Sequence, residues 1–318
     1  MAATGSWEGV QVSSRRAFLK SSFTAATYTA GMSAGFAESP LARRSDAPVP
    51  RPTSTLSLKK GLVYDMLPSH FCHIDRFKLA RDVGFEVVQA PTTPEERIAE
   101  EIKNAADKAT IRIDSVMNTD HWKYPLSSND PAVVEKSLAG MRISLHNAQL
   151  WGSEAVLLVP AVVNAQTSYH EAWTRSQEQI RKLIPVAGES KIVIAIEEVW
   201  NKFLLSPLEM EQYIKEFQSP WIKAWFDTGN VLFYGYPQDW IRTLGGSIVK
   251  LHIKDFKRQG DGYAWVNLGD GDADWLEVRK ALVETGYHGS AIAELKGGDE
   301  AYLRDLSRRM DRMLLGRA

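Results

Sequence analysis

What constrains this chain most is a rhythm that begins near Lys59. Short apolar runs rich in Val, Ile and aromatic residues alternate with longer stretches of helical periodicity. The runs cover 61–64, 86–90, 111–117, 155–159, 192–197, 223–227, 248–255 and 290–294, eight in all. Strict alternation implies parallel strands joined by right-handed crossovers. Eight such units in about 260 residues match an α/β, single-domain (β/α)8 barrel over 58–318. The alternative is an open, doubly wound sheet, which would carry a Gly-x-Gly-x-x-Gly after its first strand. The sequence has none there, and no GxxxxGK[ST] loop or GxSxG elbow.

Helix starts carry cap chemistry. Thr93-Pro94-Glu95-Glu96 and Ser206-Pro207-Leu208-Glu209 each read as a hydroxyl N-cap, Pro at the first helical position and a Glu that reaches back to the cap amide. Asp130-Pro131 opens a long helix in the same way. Gly84, Gly152 and Gly286 stand where left-handed helix ends are expected.

The first 57 residues do not share this rhythm. Arg15-Arg16-Ala17-Phe18-Leu19-Lys20 precedes an uncharged Ala/Thr/Gly-rich stretch ending at Gly35-Phe36-Ala37. Residues 1–37 therefore look like a twin-arginine export signal, with cleavage after Ala37 and a periplasmic mature protein. The stretch is too short and too polar to span a bilayer, so no membrane insertion of the mature protein is expected. Residues 38–57, rich in Pro, Ser and Arg, read as a linker.

Charge narrows the function classes. Lys and Arg number 38 against 39 Asp and Glu, a net charge of −1, which argues against a nucleic-acid partner. The single cysteine, Cys72, excludes an internal disulfide and any cysteine-based zinc site. A bound metal must be held by His and carboxylates.

The last four runs end in such groups. Residues 192–196 lead into Glu197-Glu198, 224–226 into Asp227, 249–251 into His252-Ile253-Lys254-Asp255, and 291–293 into Glu294. Barrels place their chemistry at strand C-termini. A single carboxylate there is as readily a turn residue or helix cap, but four successive strand ends are harder to explain so. Clustered carboxylates need a compensating cation. Three carboxylates and an imidazole suit one divalent ion, Mn²⁺, Co²⁺ or Mg²⁺, with Zn²⁺ also compatible. Strand parity puts Val193, Ala195 and Glu197 on one face, without excluding Glu198 as the ligand. His121-Trp122, after the third run, can line a sugar pocket or simply pack within its loop. The aromatic residues around Trp200, Phe233, Tyr234 and Tyr236 can close the pocket or cover the barrel mouth in a homo-oligomer.

The runs AIEEVWN (195–201), FDTGN (226–230), LHIKD (251–255), LGDGDADW (268–275) and GYHGSAIAEL (286–295), in this order, resemble the sugar phosphate isomerase/epimerase superfamily. This is the xylose isomerase-like TIM barrel group, which includes ketose 3-epimerases and hydroxypyruvate isomerase-like proteins. The resemblance covers roughly 58–315. It implies that Glu197, Asp227, His252 and Glu294 bind one divalent metal, and that Glu197 and Glu294 also move protons on opposite faces of a small sugar substrate. Arg258 stands where ketose 3-epimerases carry a substrate arginine, six residues after the metal histidine. Asn230 replaces the histidine those enzymes carry three residues after the metal aspartate. Lys254, between His252 and Asp255, is a further substrate-binding candidate. The implied chemistry is abstraction of a proton next to a metal-polarised carbonyl, followed by return of a proton to the same or the neighbouring carbon.

Competing readings are a dehydratase of the same superfamily, of inosose or dehydroshikimate type, and a non-catalytic sugar-binding barrel. An endonuclease IV-like repair enzyme is disfavoured, because it needs many more histidines than the seven present. Asp270-Gly271-Asp272-Ala273-Asp274 imitates a calcium loop but lacks its Gly at position 6 and Glu at position 12. It reads as a loop end and helix cap.

Overall fold

The computed structural model describes residues 56–260 and 262–317. In chain order it contains β1 (Lys59–Val63), α1 (His73–Asp82), β2 (Val87–Pro91), α2 (Glu96–Ala109), β3 (Arg112–Met117), α3 (Pro131–Trp151), β4 (Ala155–Leu158) and α4 (Tyr169–Ser190). There follow β5 (Val193–Glu197), α5 (Pro207–Lys215), β6 (Ile222–Asp227), α6 (Thr228–Val231), α7 (Pro237–Leu244) and β7 (Ile248–Ile253). Last come β8 (Asp255–Gln259), β9 (Gly262–Val266), α8 (Trp275–Glu284), β10 (Ser290–Ala293) and α9 (Glu300–Met310). Eight strands close into a parallel barrel in the order β1-β10-β7-β6-β5-β4-β3-β2, a (β/α)8 fold. All eight expected runs are strands of this barrel.

Helices seal the barrel with one apolar face each. In α2 the buried residues Ala99, Ile102, Ala105, Ala106 and Ala109 recur at helical spacing. Burial of a side chain such as Ile102 contributes about 1.5–3 kcal/mol. The caps at Asp130 and Ser206 form: Asp130 Oδ1 accepts from Ala132 N at 2.8 Å and Ser206 Oγ from Glu209 N at 3.2 Å. Glu209 reaches one residue further back than expected, to Leu205 N at 2.9 Å. Gly84, Gly152 and Gly286 all have positive φ at helix ends, where a β-carbon is disfavoured.

Three expectations are corrected. Thr93 does not cap α2. The helix starts at Glu96, and Thr93 instead gives its amide to Asn147 Oδ1 at 2.7 Å and its hydroxyl to Pro91 O at 3.2 Å. The seventh run ends at Ile253, since Asp255 begins an antiparallel hairpin, β8–β9, that leaves the barrel. Buried packing reaches back to Leu56, two residues into the stretch read as linker. The proposed signal at 1–37, and the linker apart from Leu56 and Ser57, lie outside the described residues.

The barrel interior is polar at its N-terminal end. Lys250 on β7 reaches Asp114 on β3, the strand opposite in the ring, at 2.7 Å, and Glu154 at 2.9 Å. Lys250 and Asp114 are fully buried. This ion pair ties the two sides of the barrel below the site.

Candidate metal centre

Four neighbouring strands, β5, β6, β7 and β10, carry the candidate ligands at their C-terminal ends. Glu197 ends β5, Asp227 ends β6, His252 is the penultimate residue of β7, and Glu294 follows β10. One ligand atom from each lies within 4.8 Å of all the others. His252 Nδ1 is 2.7 Å from Glu197 Oε1, 3.0 Å from Glu294 Oε2 and 3.9 Å from Asp227 Oδ2. Glu197 and Glu294 come from the outer two of the four strands, with His252 and Asp227 between them.

The opposite nitrogen of His252 is fixed. Nε2 lies 2.7 Å from Gln89 Oε1 on β2, so a proton on Nε2 is donated to the amide oxygen and Nδ1 is turned to the carboxylates. The Trp225 ring packs edge-on against the imidazole at 4.8 Å. Asp227 is held by its own backbone turn. Its Oδ1 accepts from Gly229 N at 2.7 Å and Asn230 N at 3.2 Å, capping α6. Its Oδ2 has no directed hydrogen bond, although Lys254 Nζ stands 2.8 Å away. Lys254 also meets Glu294 Oε2 at 2.6 Å.

These groups perturb one another. Burial opposes charge on His252, but Glu294 and Glu197 hold the imidazolium and lift its pKa to about 10. Burial likewise opposes charge on Lys254, and Asp227 and Glu294 push it above the ordinary lysine range. Glu294 is pulled well below the usual carboxylate range, against burial, by His252 and Lys254. Glu197 is raised, by burial first and then by Glu294 and Asp227, against the pull of His252. Three converging carboxylates, a buried Asp227 oxygen met only by the Lys254 ammonium and an imidazole with its far side already bonded fit one divalent cation with mainly oxygen ligands.

Glu198 is completely buried on the other face of the strand end. Its Oε1 accepts from Asp227 N at 2.9 Å and its Oε2 is unpartnered. Burial, reinforced by Glu197 and Asp227, raises its pKa well above the ordinary value, and its hydrogen bond braces the backbone of Asp227 from behind. The other predicted residues divide. A cavity of about 450 Å³ over the cluster is lined by Glu197, Glu294, Lys254, Asn230, His121 and Trp122 among others. His121 is buried, its Nδ1 has no partner, and burial lowers its pKa to about 4. Trp122 is 54% exposed at the rim. The Asn230 side-chain Nδ2 is spent on Glu198 O at 2.9 Å, and the Asn230 backbone carbonyl accepts from Trp200 Nε1 at 2.8 Å. Arg258 is not brought to the cavity. It lies on the outer part of the hairpin, its guanidinium on the Leu232 and Phe233 carbonyls and over the Phe233 ring.

Sequence reasoning missed Gln89 and the bracing role of Glu198. The signal for Gln89 was a lone amide inside the apolar run 86–90. It also missed Asp255, which organises the hairpin and the loop after it by accepting from Gly269 N at 2.8 Å, Trp275 Nε1 at 3.0 Å and Gly271 N at 3.3 Å. Within that loop Asp274 caps α8, as expected, accepting from Glu277 N at 3.1 Å.

The family model described as "Xylose isomerase-like TIM barrel" matches residues 77–313. The chain is 25% identical over 248 residues to L-ribulose-5-phosphate 3-epimerase UlaE of Escherichia coli O1:K1, covering 74% of this chain and 86% of that protein. Among solved structures, D-psicose 3-epimerase superposes with a TM-score of 0.68 at 18% identity, over 82% of this chain and all of the other. A D-tagatose 3-epimerase-like protein gives 0.70 at 17%, over 80% and 98%. The 3-keto-D-glucoside 4-epimerase YcjR of E. coli gives 0.67 at 14%, over 79% and 97%. With the family model covering most of the barrel, this chain belongs to the xylose isomerase-like TIM barrel family.

Proposed function

We propose that the protein is a divalent-metal-dependent isomerase or epimerase of a small sugar or keto-sugar, working by proton transfer next to a carbonyl. The convergence of Glu197, Asp227, His252 and Glu294 within 4.8 Å at the barrel mouth carries this reading. These four residues would hold the ion, whose contribution is to polarise the substrate carbonyl and so acidify the adjacent C–H. Glu294 and Glu197, on the outer two of the four strands with the ion's site between them, are the pair suited to removing that proton on one side and returning one on the other. Lys254 is placed to bind a developing oxyanion or a hydroxyl, and His121 Nδ1 offers a free hydrogen-bonding atom to the sugar. Trp122 supplies a flat apolar face at the rim.

The test is a screen of free ketoses, aldoses and inososes in deuterated buffer, with Mn²⁺, Co²⁺, Mg²⁺ or Zn²⁺ against a chelated control. Metal-dependent incorporation of deuterium with conversion to an isomer supports the reading. Release of water without isomerisation would replace it with the dehydratase, and binding without exchange with the sugar-binding barrel.

We also propose that residues 1–37 direct export through a twin-arginine route. N-terminal sequencing of the native protein should begin near Glu38; a chain starting at residue 1 or 2 would overturn this.

A further inference from the structure

The candidate metal ligands sit at the C-terminal ends of the barrel strands. A cavity of about 600 Å³, larger than the one above them, lies at the other mouth. The first residues of β1, β4, β5, β7 and β10 line it, with the connections that lead into β7 and β10. Its size is that of a small-molecule pocket.

Strand register fixes which side chains enter it. Ser290 is paired with Lys59 on one side and with Lys250 on the other. Paired residues of parallel strands point to the same side of the sheet, and Lys250, which crosses to Asp114, marks that side as the barrel interior. Lys250 is buried, and two of its three N–H groups meet Asp114 at 2.7 Å and Glu154 at 2.9 Å. Ser290 is only 1% exposed, yet its Oγ has no hydrogen-bond partner. A buried hydroxyl left unpaired is costly, and this one lines a cavity. Glu154 also pairs with Arg112, so Lys250 and Arg112 balance the two carboxylates. The charge left over is that of Lys59, which is exposed at the rim and has no ion pair among the described residues.

We propose that this cavity is a second ligand site, which binds a small hydroxylated monocarboxylate. The carboxylate would pair with Lys59, and a hydroxyl would lie between Lys250 and Ser290. A hydroxyl both donates and accepts, so it can take the remaining Lys250 proton and satisfy Ser290 Oγ together. A second anionic group there would face the Asp114 and Glu154 carboxylates, which restricts the ligand to one negative charge. Ala155, Val193 and Ile248 supply an aliphatic wall for its carbon chain.

The test is calorimetric binding of gluconate against glucose, galactonate against galactose and xylonate against xylose, to the Mn²⁺-loaded protein and to Asp227→Asn, which impairs the metal centre. At least one acid should bind tenfold or more tighter than its sugar, equally to both proteins. Lys59→Met should erase that preference, and Ser290→Ala should weaken the acid about fivefold, both with Mn²⁺ affinity unchanged. No acid preference in any pair, a preference that survives Lys59→Met, or acid binding unaltered in Ser290→Ala would overturn the proposal. So would loss of acid binding in Asp227→Asn, which would place the acid on the metal centre instead.

Discussion

Gln89 Oε1 lies 2.7 Å from His252 Nε2, on the side of the imidazole away from the carboxylates. The bond sets ring orientation and tautomer together, leaving Nδ1 as the nitrogen facing Glu197 and Glu294. Loss of such a supporting partner typically weakens metal binding about 10–100-fold. Gln89→Met should therefore lower Mn²⁺ affinity by that factor in a calorimetric titration, with an unchanged circular dichroism spectrum. Undiminished affinity would show that Trp225 packing alone orients the ring.

This bond also marks the limit of what the sequence discloses. The barrel is legible because each strand is buried on both faces and each helix on one, which writes two different periods into the chain. The candidate ligands are legible because ionisable residues end four apolar runs. Gln89 is not, since an amide within an apolar run looks like any buried polar residue until its partner, 163 positions away, is known. Lys250 and Asp114 pair over a similarly long separation. The β8–β9 hairpin is hidden because its first strand follows β7 after only Lys254. Gly260, with φ of 60°, and Gly262 were its readable turn signal. Arg258 was placed by its spacing from His252, which assumes a loop path that the hairpin does not follow.

Lys250→Met leaves Asp114 buried without its cation. Breaking a buried pair from one side costs about 3–5 kcal/mol. Urea denaturation should register that loss, and Lys250→Met combined with Asp114→Leu should recover most of it. A single variant as stable as the wild type would contradict a stabilising Lys250–Asp114 pair.

His121 sets an acid limit on stability. Its pKa is about 4 in the fold, lowered by burial, against 6.5 when unfolded. Between these values the unfolded chain takes up the proton first. The stability associated with neutral His121 is present above pH 6.5 and lost as pH falls toward 4, about 3 kcal/mol in all. His121→Phe should flatten this limb in denaturation curves collected from pH 7 to 4. An unaltered pH slope would mean that the ring is solvated.

Chelation should destabilise the protein, because three carboxylates then face each other across His252 and Lys254 alone. At 100 times its dissociation constant, Mn²⁺ should restore about 2.7 kcal/mol. Thermal melts with and without chelator measure this, and Asp227→Asn should shrink the gain. Equal melting temperatures in both conditions would contradict a metal site at these residues.

The central claim is that Glu294 and Glu197 form an acid/base pair around a carbonyl-activated carbon. Its most direct measurement is exchange of the substrate C–H proton with deuterated solvent by Glu294→Gln, using the sugar the wild type converts. The substitution keeps the shape and an oxygen ligand while removing the base. General acid/base groups contribute about 10²–10⁴-fold to rate. Exchange and turnover should fall together by that factor while substrate binding is retained; wild-type exchange in Glu294→Gln would contradict the account.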